Sequence, residues 1–478
     1  MKGFARRVLA LACATALAVS CNKDDASGSL SFAAPAVFVA AGERATVSYA
    51  ASGVAASSLG VSGTPDGWEE PVLDVAARTI TIKAPLGDTD ADGKKVAESG
   101  TITLTGRAGE RTAVTAKLFV ARAATVAHAD RSNCYLVSQP GTHHTFDALH
   151  RPDGVQLATA SVEIVWQSRT GLIEYLALED GRVSFYVPEG TDDPLKEGNA
   201  LIGAYDKRGD LLWSWHVWVA DYDPEAPEGV VSVDGVTMMR RNLGALGSAN
   251  GTSEEILASY GLYYQWGRKE PFIGPNTYQA SQGASAAMYN GKSRRVYLTT
   301  EASDAKTGTQ EYAVRHPLTF LTAEKDADWC AESGAVRWAQ TKTVYDPCPA
   351  GWRVADPSAF AGWIIAEPLD GADAADRYAD KFGWQLERNG VQALFIGAGY
   401  RLYLDGKINN IYDNLPVRNA AMDMQPWTGY YWTTEAASAG VASAFYFWFN
   451  KSDVPGSGVR NGEAMGRANG MPVRCVKE

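Results

Sequence analysis

The residues most able to do chemistry in this chain of 478 residues are its cysteines and the arginines that stand beside tryptophans. They meet in Lys342–Val354, KTVYDPCPAGWRV. Pro347 and Pro349 flank Cys348, fix φ and remove amide donors on both sides, so the backbone there is stiff and non-helical. Gly351 permits a tight turn, and Trp352 follows as a large apolar anchor with one N–H to satisfy. Cys475, in the C-terminal PVRCVKE, is the other cysteine in so strand-like a context. A Cys348–Cys475 bridge would close a loop worth roughly 4–5 kcal/mol in loop-entropy terms. Cys134 and Cys330 are left as a second pair or as two buried thiols.

Arg241, Trp266, Arg268, Lys269, Trp352, Arg353 and Arg401 are the residues best suited to hold something anionic or planar, and Tyr403, Tyr412 and Trp427 could stack on a sugar. The bland alternative is that the arginines satisfy buried carboxylates and the rings cap a core. Asp405, Asn409, Asn410, Asp413 and Asn414 carry enough oxygen to suggest calcium, but a polar solvated loop is the plainer reading. No CxxC, zinc-type spacing, nucleophile elbow, P-loop, HExxH or dinucleotide fingerprint occurs. The expectation is therefore a protein with no catalytic residues, no metal and no cofactor. His216 sits in a tryptophan-rich strand and reads as structural, and His143-His144, close to Pro140-Gly141, reads as an exposed loop.

The first residues set the compartment. Lys2, Arg6 and Arg7 precede an apolar run, Val8–Ser20, that is shorter than the roughly 20 residues needed to span a bilayer. Ala18-Val19-Ser20-Cys21 resembles a bacterial lipobox, which implies cleavage before Cys21 and its lipidation. Asn22-Lys23-Asp24-Asp25 looks like the surface-export signal of Bacteroidota lipoproteins. The expected partner is thus a membrane, met through lipid, at the outer face of an outer membrane. A net charge of −11 without a basic stripe argues against nucleic acid.

Elements follow from periodicity. Residues 1–20 read as signal and 21–29 as tether. In 30–124, Ala45–Tyr49, Thr79–Lys83, Thr101–Thr105 and Thr115–Ala121 alternate apolar with polar residues, as half-buried strands of an Ig-like β-sandwich do; the region loosely resembles BACON-type modules. A second β-module spans 125–226, with strands at Ser161–Gln167, Arg182–Val187, Ala200–Ala204 and Leu211–Val219. The fold class is then multidomain, two all-β sandwich modules followed by a mixed α+β domain over 227–478. Within that domain Val230–Met239 reads as a hairpin about Asp234-Gly235, and Pro357–Glu367 and Ala372–Phe382 as helices. Long loops lie at Phe272–Lys306 and Lys407–Trp427.

From Val230 onward RRNLGA, GLYYQWGRKEPF, YDPCPAGWRV, GAGYR, YYWTTE and PVRCVKE occur in the order found in the Fibrobacter succinogenes major paralogous domain. The resemblance covers about half the chain and implies a C-type-lectin-like fold, and with it that the long loops at Phe272–Lys306 and Lys407–Trp427 form a binding surface. Arg240 departs from it, where an acid is usual, as does Ala355-Asp356 after GWRV. The lectin calcium signatures Glu-Pro-Asn, Gln-Pro-Asp and Trp-Asn-Asp are absent. The related formylglycine-generating enzymes use a cysteine pair that here is committed to a bridge. The expected function is a non-catalytic surface lipoprotein that binds a glycan or a cell-surface protein, in one version fimbria-associated. The alternatives are an assembly subunit of a cell-surface complex and, further off, a glycan-processing enzyme.

Overall fold

The computed structural model describes residues 27–109, 112–189, 196–277, 285–324, 327–365, 382–409, 427–449 and 457–478. Cys21 and its tether, Tyr412, Asn410, Asp413, Asn414 and the expected helix over 372–381 lie outside them, as do the side chains of Asn409 and Trp427. Strands carry most of the regular structure. The described α-helices are three short ones, Ser253–Ser259, Gln310–Arg315 and Pro357–Phe360.

The chain divides into two compact units. The first runs to His128 and takes in Gly141–Phe146 and Glu174–Pro188; the second holds Ala129–Pro140, Asp147–Ile173 and Glu189–Glu478. The stretch 125–226, expected to close on itself, is instead shared between the two.

In the first unit the period-two segments form strands as expected. Arg44–Ser52 and Thr79–Lys83 belong to one four-stranded sheet, and Thr112–Arg122 and Ser99–Ala108 to another. Val47, Ile80, Ile82, Ile102, Leu104, Leu118 and Val120 point inward from both sheets into one core, because alternate residues of a strand face opposite ways. Two sheets packed face to face on one core make the β-sandwich expected within this region. A third sheet orders Glu174–Glu179, Arg182–Val187, Thr142–Asp147 and Thr125–Ala127. Phe38 of the sandwich stacks on His143 at 4.3 Å, and Phe119 on Tyr175 at 4.3 Å.

The second unit is built on Leu211–Val219. Nearly every side chain of this strand is buried, as a central strand requires. It lies parallel to Cys134–Val137 and antiparallel to Gly198–Tyr205. The sheet continues through Ser161–Gln167 to the hairpin Met288–Tyr289 and Arg295–Val296. Residue 227 is therefore not a structural boundary, since strands from both sides of it share one ladder of main-chain hydrogen bonds. The expected hairpin is present as Val230–Val233 and Val236–Met239. Asp234 and Gly235 both have positive φ, 51° and 78°, which suits the right-handed twist of the flanking strands. Cys475–Lys477 returns between Val236–Met239 and Trp352–Val354, and the Cys348–Cys475 disulfide joins the chain end to this sheet. Cys134 and Cys330 are separate buried thiols.

One helix is shorter than read. Asp356 caps Pro357–Phe360 through the Ser358 amide, but Gly362 adopts φ 78° and ends the turn. Ile364–Ile365 then pairs as a strand with Gly383–Arg388.

Candidate functional site

GLYYQWGRKEPF supplies three of the expected contact residues, and all three are buried. Trp266 is 3% exposed and its Nε1 donates to the Thr433 carbonyl at 2.8 Å. Arg268 is fully enclosed. It donates to the carbonyls of Thr319 (2.9 Å), Ala313 (3.0 Å) and His316 (3.0 Å), and to Glu270 Oε2 at 3.1 Å. Lys269 Nζ donates to the Ser214 carbonyl at 2.9 Å and lies 2.8 Å from Glu270 Oε1. Arg401 has no carboxylate: it donates to the carbonyls of Gly406 and Ile273 and to Ser285 Oγ. Burial draws the Arg401 guanidinium down to about 10, which leaves it charged near neutrality. Trp352 is buried in the core cluster that also holds the disulfide, with Nε1 donating to Glu225 Oε1 at 3.1 Å.

These five residues are withdrawn from any external ligand, which corrects the reading of them as contact residues. The reason is main chain. The Arg268 guanidinium takes carbonyls at the end of the helix Gln310–Arg315 and at the start of the strand Thr319–Thr322. Arg401 takes those of Gly406 and Ile273, since a guanidinium can satisfy several buried carbonyls at once. The alternative that arginines serve buried carboxylates holds for Arg268 with Glu270 but not for Arg401. In the same motif family, Asp346 accepts from the amides of Cys348 and Val354 at 2.9 Å each, and so fixes the cysteine loop.

Three expected residues are nearer the surface and still engaged. Arg241 donates to the carbonyls of Leu246 (3.0 Å) and Asp221 (2.7 Å) and covers the Tyr222 ring. Arg353 meets Asp356 Oδ2 at 2.8 Å. Tyr403 is half-buried against the small core around Trp329. The described members of the expected set do not converge on one cleft.

A cysteine–histidine–asparagine chain exists where the sequence pointed to none. Cys134 Sγ lies 3.3 Å from His216 Nδ1, and His216 Nε2 lies 2.8 Å from Asn199 Oδ1. The residue types are those of a nucleophile, base and orienting group. Burial decides what they do: the three are 1%, 2% and 4% exposed. It pushes the thiol far above its ordinary range and the imidazole down to about 3, so both are neutral at physiological pH and no thiolate forms. Asn199 Nδ2 continues to the Gly244 carbonyl at 2.9 Å. The chain satisfies polar groups between packed strands, in line with the structural reading of His216.

His143 and His144 are buried in the strand Thr142–Asp147, not exposed in a loop. His143 bridges Thr125 Oγ1 (2.9 Å) and Ser184 Oγ (2.8 Å), while His144 meets Thr142 Oγ1 (2.8 Å) and His128 Nε2 (3.1 Å). Among the described residues no group of three or more His, Cys, Asp or Glu could hold a metal ion.

The concave surface of the second unit lies elsewhere. A cleft of about 540 Å³ is formed by Val165 of the strand Ser161–Gln167 and three further segments distant in sequence. One is the turn between Gly198–Tyr205 and Leu211–Val219, giving Tyr205, Asp210 and Leu211; a second is Tyr297 and Thr299; the third is Arg315–Thr319, at the end of the helix Gln310–Arg315. Tyr297 is 67% exposed, and the Arg295 guanidinium lies 5.7 Å from its ring centre. Thr299 and Thr319 share a hydroxyl hydrogen bond of 3.0 Å. His316 stacks on Tyr312 at 3.9 Å and its Nδ1 lies 2.9 Å from the Tyr312 carbonyl. An exposed ring beside hydroxyls, a carboxylate and a guanidinium suits a hydroxylated ligand, stacked on one face and hydrogen-bonded at its edge. Tyr297 and Thr299 belong to the loop Phe272–Lys306 that the sequence marked as binding surface. Nothing in the six motifs pointed to the other two segments.

No family model matches the chain, and no curated protein matches it. Among solved structures it is similar to the D00-D0 domain of intimin, at 9% identity over 40% of this chain and 96% of that one, with a TM-score of 0.14. The N-terminal Ig1-2 module of Drosophila receptor protein tyrosine phosphatase DLAR gives 10% identity over 40% and 98%, TM-score 0.14. Cadmium-bound SporoSAG gives 10% over 38% and 94%, TM-score 0.12. TM-scores this low do not amount to a shared fold.

Proposed function

We propose that this is a non-catalytic surface lipoprotein whose second unit is a lectin-like recognition head for glycans. In this reading Cys21 carries the lipid that holds the protein at the outer membrane, the Ig-like sandwich serves as spacer, and the head carries the cleft. The observation that carries the reading is the open cleft in which Tyr297 stands exposed beside Asp210, Arg315, Thr299 and Thr319. Sugars are bound in this way, by an aromatic face plus a few directed hydrogen bonds. The six ordered motifs and the lipobox add the lectin-like and lipoprotein parts of the proposal. No described helix is long and apolar enough to cross a membrane, which is compatible with anchoring by lipid.

An array of mucin-type and dietary glycans, probed with the full-length protein, tests the reading. The expected result is retention of at least one glycan, loss of it in Tyr297→Ala, and no released product on incubation. Retention of none would remove the adhesion claim, and released sugar would replace it with a hydrolytic one.

A further inference from the structure

We infer that the ligand of this cleft is an acidic polysaccharide, one whose repeating units carry carboxylates, held by Tyr297 together with the cationic hairpin tip Lys292–Arg295 and Arg315. The inference rests on the glycan-binding reading and names its substrate class.

The first observation is uncompensated charge. The chain as a whole is acidic, −11, yet Lys292, Arg294 and Arg295 are all exposed. None of the three has a carboxylate within ion-pair distance among the described residues. Of the acids beside the cleft, Asp210 pairs with Arg208 at 3.0 Å and Glu311 with Arg315 at 3.0 Å, Glu301 accepts from the Tyr312 hydroxyl, and Glu163 acts on Tyr205 from the neighbouring strand. The hairpin that leads into Tyr297 therefore carries three cations without an ion-pair partner among the described residues, on a chain that is acidic overall.

The second observation is that the backbone carrying these cations is fixed. Asn290 Oδ1 accepts from the amides of Lys292 (3.0 Å) and Arg294 (3.1 Å), and the Asn290 amide donates to the Arg294 carbonyl at 2.9 Å. This closed turn joins Met288–Tyr289 to Arg295–Val296, and the hairpin is an edge of the six-stranded sheet. Arg295 lies over both Tyr289 (5.9 Å) and Tyr297 (5.7 Å), so ring and guanidinium are presented together.

The two observations have one chemical complement. A pyranose ring covers the free face of Tyr297, and a carboxylate on that ring or its neighbour meets a planar guanidinium fork. Glu311 then acts as the internal competitor for Arg315. A nucleic acid is a poorer complement, because its affinity comes from many phosphate contacts along a basic surface, and three cations on an acidic protein do not provide one.

The test titrates full-length protein with polygalacturonate, and with the same polymer after its carboxyls are reduced to alcohols, at low and at 0.5 M salt (roughly ten and four ångström Debye lengths). The acidic polymer is expected to bind and the reduced one not. Salt should weaken binding, Arg294→Gln/Arg295→Gln should weaken it about tenfold or more, and Glu311→Gln should strengthen it. Polysialic acid serves as a second carboxylated probe and a sulfated glycan as the non-carboxylate anion. Equal binding of the acidic and reduced polymers, lost in Tyr297→Ala, would overturn the acidic-ligand inference and leave glycan binding standing. Preference for the sulfated glycan over both carboxylated probes would overturn the carboxylate assignment. Acidic-polymer binding unchanged in both the double arginine variant and Tyr297→Ala would place it off this cleft and overturn the site. Binding of no glycan, on the array or in titration, would overturn the underlying reading as well. Circular dichroism of each variant separates lost binding from lost folding.

Discussion

Arg401 and Arg268 are fully desolvated cations whose partners are mostly backbone carbonyls, so the loops of the second unit depend on them. Replacing Arg401 by methionine keeps much of the side-chain volume and leaves the carbonyls of Gly406 and Ile273 without donors. A buried unsatisfied acceptor costs about 1–3 kcal/mol, and the urea midpoint of the second unit should fall accordingly. A midpoint equal to wild type would show those carbonyls to be satisfied otherwise. The Cys134 thiol makes a sharper residue-scale prediction. Enclosed and pushed far above its ordinary range by burial, it should resist iodoacetamide in the folded protein and react fully in denaturant. Fast native alkylation, read by mass spectrometry, would revive the Cys134–His216–Asn199 chain as a reactive site.

At the scale of elements, the sheet containing Thr125–Ala127, Thr142–Asp147 and Arg182–Val187 buries His143 and His144, with the half-buried His128 just beyond its edge strand. Burial draws His143 down to about 4 and His144 to about 3, and lowers His128 with help from Arg182. Their folded values lie below the ordinary 6.5 or so, so the folded unit binds fewer protons than the unfolded chain in between. Stability is therefore fully present above about pH 6.5 and is lost as pH falls toward 4. Thermal melting of the first unit should decline over that window, and His143→Gln should flatten the decline. A pH-independent melting point would contradict it. What the sequence made legible here was local. Alternation in TITIK and TITLT, Asp234-Gly235 at the hairpin, and the Pro-Cys-Pro stiffening all act within a few residues. Burial of the arginines was one of the two readings the sequence left open, but their partners were not legible, because a charged letter does not say which distant carbonyls await it. The stop at Gly362 was readable in principle, but the apolar spacing of Phe360, Trp363 and Ile364 imitated a helix. The cleft was legible only through the loop that holds Tyr297, since its other walls are ordinary residues brought in from far along the chain.

For the whole molecule, the Cys348–Cys475 bridge spans 127 residues and ties the last strand of the second unit to the loop that Asp346 pins. Cys348→Ser/Cys475→Ser should lower the stability of the second unit by about 2–5 kcal/mol while the sandwich core of the first melts as before. Joint loss of both units would show that the two compact units do not unfold separately. The sharing of 125–226 between units also explains why composition did not mark it: strand partners at long range are set by which faces need covering, not by local period. The central claim, a recognition head with its ligand at Tyr297, is tested most directly by one titration. Wild-type and Tyr297→Ala proteins are compared on the glycan that the wild type retains best, with melting temperature as the control for folding. The account predicts that Tyr297→Ala binds at least tenfold more weakly, about 1.4 kcal/mol, at an unchanged melting temperature. Equal affinity of the two proteins would contradict it.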